Sequence, residues 1–442
     1  MRRNRMIAGS MLSVTTGLAL YGVFGASDPA ARAAQQDRPL PTFTSLVARH
    51  VTVPGRRPVF AWPAKGQGAV SVLGIGLMGA SPHERVVPIA SLTKMMTAYL
   101  ILRDHPLVPG EAGPSLRMTA ADVGAWAADS QAGDSSVPVR AGEVLSEYQL
   151  LEALLIPSAD NIADLLGDWD AGSDAAFVAK MNAAARQLGL RSTHYADASG
   201  VNPGSRSTAA DQSLLAADLM TEPVVRGIVS QAHVAFPVAG TIWNYNPALG
   251  VDGIVGVKSG FTQHAQGCLV TAAFRAVGGR RVLVVSASVG QPDGLYGAAR
   301  ADEALLDRAT RALVAYSVVA PGAGVAEVKE PGSAAALRAV APANVPAVVA
   351  WAGLSLRDVV VAATPGSRSA RAGSIGTLEV HAPLGLLAAV PLTEAAPSGT
   401  AAPPTSSPAT SSTGPASSSP TVTTAPGSAT QPGSSTATQG SG

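Results

Sequence analysis

Cysteine is nearly absent from this sequence of 442 residues: Cys268 stands alone. A single thiol excludes an intramolecular disulfide framework and any multi-thiolate zinc site. Charge is sparse as well. Charged residues make up 14% of the chain and the formal net charge is +1. That balance argues against a nucleic-acid binder, which needs clustered basic residues to neutralise phosphates. The seven histidines are scattered, with no His-Glu-x-x-His, which disfavours a zinc peptidase. Aromatic residues are only 4%. Lysine is scarcer than arginine: Lys65, Lys94, Lys180, Lys258 and Lys329 are set against 31 basic residues in all. A retained lysine is chemically informative, because a buried lysine can lose its proton and arginine cannot. Apolar residues, at 47%, are plentiful enough to bury a sizeable core. The length suggests two or three units.

The two ends differ in texture from the body. Arg2, Arg3 and Arg5 precede an apolar run from Met6 to Ala26, and Ala31-Arg32-Ala33 supplies small residues for signal-peptidase cleavage. Residues 1–33 therefore read as a secretory signal peptide. The run is also long enough for an uncleaved membrane anchor. Ser10, Ser13, Thr15, Thr16 and the glycines favour cleavage. Either way the body lies outside the cytoplasm, in the cell envelope or beyond. From residue 395 to 442 the chain is almost entirely Ala, Pro, Ser, Thr and Gly, without a charged side chain. Such a segment cannot bury enough apolar surface to offset its ordering entropy and reads as a disordered tail. A wall-spanning spacer, a glycosylated stalk and an inert extension all fit it.

Residues 34–64, with several prolines and little periodicity, read as a linker. Ala69 to Met78 is a strand candidate. Leu92, Met95, Met96, Tyr99 and Leu100 repeat at helical spacing, which predicts a helix from Ser91 through Leu102. Ser146-Glu147-Tyr148-Gln149 is a capping box that opens another helix, which Pro157 ends. Ser173 starts a further helix closed by Gly189. Gly253–Phe261, Cys268–Phe274 and Arg281–Val289 read as an antiparallel meander, and Glu303–Tyr316 as a closing helix. This order predicts an α+β catalytic layer over residues 65–318, an antiparallel sheet flanked by helices. Residues 321–394, with short apolar runs between Pro and Gly turns, predict a small all-β domain.

Three short segments carry chemistry. In Ser91-Leu92-Thr93-Lys94, positions i and i+3 of a helix share a face, so the amine can take the proton of a serine nucleophile. A capped helix start with a surface lysine is the plainer reading of that segment alone. Ser158-Ala159-Asp160-Asn161 lies between two helices, where it is by default an N-cap. Lys258-Ser259-Gly260 lies late in a Gly-containing strand. There a ligand could add as an extra strand and offer its carboxylate to Lys258. The plainer reading is an edge lysine that discourages aggregation.

Read in order, Ser-x-x-Lys, Ser-x-Asp-Asn and Lys-Ser-Gly parallel the Ser-x-x-Lys, Ser-Asp-Asn and Lys-Thr-Gly set of penicillin-binding proteins and class A β-lactamases. The chain thereby resembles the low-molecular-weight penicillin-binding proteins, the serine-type D-alanyl-D-alanine carboxypeptidases. Pro88 to Lys94, Leu154 to Ser158, Ser207 to Asp211, Trp243-Asn244 and Gly256 to Thr262 carry the likeness, across about residues 65 to 318. The resemblance implies a β-lactamase/transpeptidase-like fold. It implies Ser91 as nucleophile, Lys94 as general base and Ser158 as proton relay. Lys258 and Ser259, with Gly260 in the same motif, would hold the substrate carboxylate. The backbone N–H groups of Ser91 and Phe261 would form the oxyanion hole. The implied partners are peptidoglycan stem peptides, with β-lactam antibiotics as inhibitors and no nucleic acid. A membrane is a partner only if the N-terminal segment stays uncleaved. No metal or organic cofactor is implied.

Two positions depart from the family pattern. Ser259 replaces a usual Thr and keeps the hydroxyl. Asp160 replaces a usual Asn and adds a negative charge near two lysines, which favours charged Lys94 and opposes its work as a base. Asn161 is one helical step away, a rotation of about 100°. Two rival functions follow: a peptidoglycan- or penicillin-binding scaffold impaired by Asp160, and a class A-like β-lactamase. The second lacks the expected Glu-x-x-x-Asn between Ser158 and Lys258.

Overall fold

The computed structural model describes residues 41–362 and 373–395. The expected signal or anchor segment and the tail beyond residue 395 lie outside them. Among the described residues no helix is long and apolar enough to cross a membrane.

The architecture is α+β. Its centre is a five-stranded antiparallel sheet in the order Ile254–Thr262, Gln266–Val277, Arg280–Gln291, Gln67–Val72 and Gly76–Ala80. The sheet is buried on both faces, and side-chain alternation sorts its residues between two cores. Cys268, Val270 and Ala272 face one way, with Leu283, Val285 and Ala287 of the next strand, into a core filled by Leu92, Met95, Leu151 and Leu154. Leu269 and Ala273 face the other way with Val284, against Leu305, Leu306 and Ala309 of a long helix, Gly294–Ala312. A sheet covered on both sides can tolerate long Val-rich strands, which explains the apolar runs of the meander.

The meander matches the sequence reading: the first strand is shifted by one residue at the same length, and the other two extend a few residues further. The expected single strand over 69–78 is instead a hairpin, Gln67–Val72 and Gly76–Ala80. Gly74 and Gly76 lie at φ +74° and +130°, a backbone that turns the chain where an apolar reading runs straight through. The closing helix also differs. It begins at Gly294 and ends at Ala312, and Val314–Tyr316 is a strand paired with Val348–Ala350. Its first turns are Ala- and Gly-rich, so they carry too little apolar contrast to register as a helical face.

The C-terminal region forms a seven-stranded sheet in the order Thr42–Ser45, Gly324–Lys329, Ala336–Val340, Gly385–Glu394, Gly376–Ala382, Ser355–Ala362 and His50–Thr52. Its two outer strands come from the segment read as a linker, and that reading is corrected. Thr42–Ser45 pairs with Ala326–Lys329, and His50–Thr52 pairs with Ser355–Arg357. Strands of three or four residues whose partners are so distant in sequence leave almost no local signal.

The long helix is tied to the central sheet by Asp302, which is fully buried and accepts hydrogen bonds from Ser288 (2.6 Å), Ser286 (2.9 Å) and Thr271 (3.2 Å). Burial pushes its pKa from 3.8 to about 7, with the three hydroxyls opposing the shift. The folded protein therefore holds this proton more tightly than the unfolded chain. The contribution of Asp302 to stability falls as pH rises between 3.8 and about 7. Thermal melts across that range should show the Tm of the parent falling relative to Asp302→Asn. A constant difference between the two would contradict the burial of an ionisable group there.

Candidate active site

The first wall of the site is the start of the helix Lys94–Asp104 and the 3-10 turn Ala90–Thr93 before it. In a 3-10 turn residues i and i+3 eclipse, which stacks Ser91 under Lys94. Lys94 Nζ lies 3.1 Å from Ser91 Oγ. Leu92, Met95 and Met96 are fully buried and fix the turn in the core. Lys94 is itself fully buried. Its remaining partners are the Asp160 carboxylate, in an ion pair, and the Ser199 carbonyl at 2.7 Å.

The second wall begins where the helix Glu147–Leu155 ends. Its capping box at Ser146 and Gln149 is formed as read. Ser158 is not an N-cap. It sits at φ +68°, and the next helix, Asp160–Ala171, has Ala159 at the cap with no side-chain bond. Left-handed backbone at a non-glycine residue is costly and tends to mark functional sites. Ser158 Oγ is buried and has no hydrogen-bond partner among the described residues. Asp160 occupies the first helical turn, and its N–H donates to Ser135 O at 2.6 Å. Asn161 is committed elsewhere: its side chain accepts from Val137 N and donates to Val137 O, at 3.1 and 3.0 Å. The helical rotation that separates neighbours puts Asp160, not Asn161, beside Lys94.

The third wall is the edge strand Ile254–Thr262. Lys258 is 1% exposed and donates to Ser259 O at 2.9 Å. Ser259 is buried and Phe261 exposed. Gly260 is required by close approach: a Cβ there would lie 2.9 Å from Ser91 N and 3.2 Å from Ala90 Cβ. The structure thus brings Ser91, Lys94, Ser158, Asp160, Lys258, Ser259, Gly260 and Phe261 onto three adjoining walls.

Burial dominates the electrostatics. It pushes the Asp160 carboxyl up, and Lys94 and Lys258 pull it back down. Burial likewise pushes Lys258 well below the ordinary lysine range; the positive charge of Lys94 adds to that shift and Asp160 opposes it. With its amine neutral, Lys94 donates to Asp160 and Ser199 O and keeps its lone pair for the Ser91 hydroxyl. The arrangement can generate a serine nucleophile and can meet an anion at Lys258. Among the described residues no group of three or more His, Cys, Asp or Glu side chains could hold a metal ion.

Sequence reasoning missed Ser199. Its carbonyl is presented by a turn organised around Asp197, whose carboxylate accepts from Ser199 Oγ, Gly200 N, Asn202 N and Ser205 Oγ. The signal available was the Asp-Ala-Ser-Gly cluster at 197–200, a turn composition with no chemical signature of its own. A cavity of about 630 Å³ opens elsewhere, beside Trp62, Gln67, Ser81 and Arg85; no motif residue lines it.

Comparison with known proteins is consistent across sequence and fold. Residues 77–288 match the D-alanyl-D-alanine carboxypeptidase family of serine peptidases. D-alanyl-D-alanine carboxypeptidase DacB2 of Mycobacterium tuberculosis is 37% identical over 164 residues, covering 36% of this chain and 55% of that protein. A Streptomyces D-alanyl-D-alanine carboxypeptidase is 33% identical over 210 residues, covering 44% of this chain and 69% of that protein. The chain spans about half the length of other curated relatives, 50% and 53% in two of them. A peptidoglycan synthesis regulatory factor from Streptococcus pneumoniae shares the fold, with a TM-score of 0.57 at 21% identity, over 76% of this chain and 99% of that one.

The close approach of the Ser199 turn to the nucleophile segment gives a test of the geometry. Gly200 lies at φ +90°, and a Cβ there would sit 2.0 Å from Ala90 O. Gly200→Ala should lower stability by about 2–4 kcal/mol in urea unfolding. An unchanged midpoint would mean that the turn does not pack on Ala90 as described.

Proposed function

This chain belongs to the D-alanyl-D-alanine carboxypeptidase family, and on that premise we propose that it removes the terminal D-alanine from peptidoglycan stem peptides by way of a Ser91 acyl-enzyme. The observation that carries the reading is the Lys94 amine, buried and 3.1 Å from Ser91 Oγ. Lys94 takes the hydroxyl proton as Ser91 attacks the carbonyl of the penultimate D-alanine. The backbone N–H groups of Ser91 and Phe261 stabilise the oxyanion. Ser158, whose hydroxyl is uncommitted, relays a proton to the leaving amine. Lys258 and Ser259 hold the terminal carboxylate, and Gly260 lets the strand close on the nucleophile. Water then attacks the ester, returns the proton to Ser91 and releases the shortened peptide. A β-lactam enters the same path, because its strained amide resembles the D-Ala-D-Ala bond. The proposed place of action is the cell envelope, reached by export on residues 1–33.

Release of D-alanine from a peptide ending in D-Ala-D-Ala tests the reading. We expect turnover by the parent and a loss of about a thousandfold or more in Ser91→Ala. A parent that is acylated by penicillin but releases no D-alanine would instead fit the scaffold reading, which the Asp160–Lys94 ion pair favours. Rapid release of opened penicillin would fit a β-lactamase.

Asp160 gives a sharper prediction. An ionised carboxylate in contact with Lys94 stabilises the ammonium and slows proton transfer from Ser91. Asp160→Asn keeps an oxygen acceptor and removes the charge. Acylation by penicillin, followed from about pH 6 to 10, should be faster in this variant near neutrality and less dependent on pH. If the variant is no faster at any pH, the carboxylate does not restrain the base.

A further inference from the structure

A base must do more than lie close to the hydroxyl it serves; its lone pair has to point there. A neutral lysine amine carries two N–H bonds and one lone pair, and the side chain alone leaves three staggered settings about the Cε–Nζ bond. At Lys94 two acceptors choose between them. One is the Asp160 carboxylate and the other is Ser199 O, at 2.7 Å. With an N–H bond on each, the third direction falls to Ser91 Oγ, 3.1 Å away. Without Ser199 O, the amine is free to turn its lone pair to the vacated side and to offer Ser91 an N–H bond instead. The aim of the base therefore depends on a main-chain oxygen, and that oxygen depends on the groups that hold its turn.

Two side chains hold it, and neither belongs to the three motifs. Asp197 grips the turn from within. Its carboxylate accepts from Ser199 Oγ (3.0 Å), Gly200 N (2.8 Å), Asn202 N (3.0 Å) and Ser205 Oγ. Ser205 O in turn accepts from Ile89 N at 3.2 Å, two residues before the nucleophile. Thr97 grips the turn from the helix. It lies three residues past Lys94, so the two side chains share a helical face. Thr97 is fully buried, and its hydroxyl donates to Ala198 O at 2.6 Å. Two successive carbonyls, of Ala198 and Ser199, thus meet Thr97 and Lys94 on one face of one helix. We propose that Asp197 and Thr97 are positioning residues for the reaction: together they lock the Ser199 carbonyl against Lys94 and so aim the lone pair of the base at Ser91. The proposal rests on the reading of Lys94 as the base for Ser91.

The test is the first-order rate constant for acylation of Ser91 at saturating penicillin, followed by intact mass from about pH 6 to 10. A rate constant is independent of any fraction of a variant that fails to fold. Thr97→Val keeps the shape and removes the donor. It changes no charge, so Asp160, Lys258, Asp129 and Asp164, the charged groups that act on Lys94, stay as they are. Its maximal rate constant should fall about three- to tenfold. Its pH of half-maximal rate should fall by about half a unit, because Ser199 O also stabilises the ammonium. Thr97→Ser keeps the donor and should stay within about twofold of the parent. Asp197→Ala removes all four bonds and should lose about tenfold or more in the maximal rate constant; if it does not fold, the Thr97 pair decides. A role confined to stability would lower Tm and leave the rate constant unchanged, and that result in either Thr97→Val or Asp197→Ala would overturn the proposal. So would a slower Thr97→Val with an unmoved half-maximal pH, or a Thr97→Ser as slow as Thr97→Val. A parent that penicillin does not acylate removes the base reading and the proposal together, whereas an acylated parent with unaffected variants removes the proposal alone.

Discussion

A lysine side chain with no solvent exposure has to be met by partners inside the protein, because an unpaired buried charge costs several kcal/mol. Lys94 is in that position, and its three partners come from three distant parts of the chain: Ser91, Asp160 and the carbonyl of Ser199. Each part of the fold around the site can be read as a means of delivering one of them. The 3-10 turn stacks Ser91 under the amine. The break at Pro157 and the left-handed Ser158 start a new helix whose first residue is Asp160. Asp197 folds the turn that aims Ser199 O inward. Gly200 and Gly260 permit the backbones of that turn and of the edge strand to come within contact of the nucleophile segment.

The sheet supplies the rigidity on which this geometry depends. Its register sets Lys258 opposite Val270, Ser259 opposite Leu269 and Gly260 opposite Cys268. Those partner residues are fully buried in one core or the other. A one-residue slip would exchange the two faces and remove the Lys258 environment. The edge strand is thus held by the central strands on one side, and the face of Gly260 lies against Ser91. Burial is also the source of the unusual electrostatics, since the water that would solvate Asp160 and Lys258 has been replaced by packed side chains.

The legible parts of this protein were those with short-range periodicity or a fixed chemical spacing. The meander, the capping box at Ser146 and the cap at Ser173 follow from local rules and are present. So is the Ser91–Lys94 contact, which a separation of three residues on a helical turn suggests. The hairpin at 67–80 was hidden because Gly74 and Gly76 sit inside an apolar run. The strands Thr42–Ser45 and His50–Thr52 were hidden because their partners lie at the far end of the chain. Ser199 contributes a main-chain oxygen, and no side-chain pattern announces a carbonyl. Asp160 was legible as a departure from the family pattern, but its contact with Lys94 required the angular position of the helix.

The central claim is that the buried Lys94 amine makes Ser91 a nucleophile. Intact-mass analysis of the protein after incubation with penicillin, followed by peptide mapping, tests it most directly. The account predicts one adduct of the intact antibiotic mass, on the peptide containing Ser91, long-lived in the parent and absent from Ser91→Ala. No adduct in the parent, or an adduct that persists in Ser91→Ala, would contradict it.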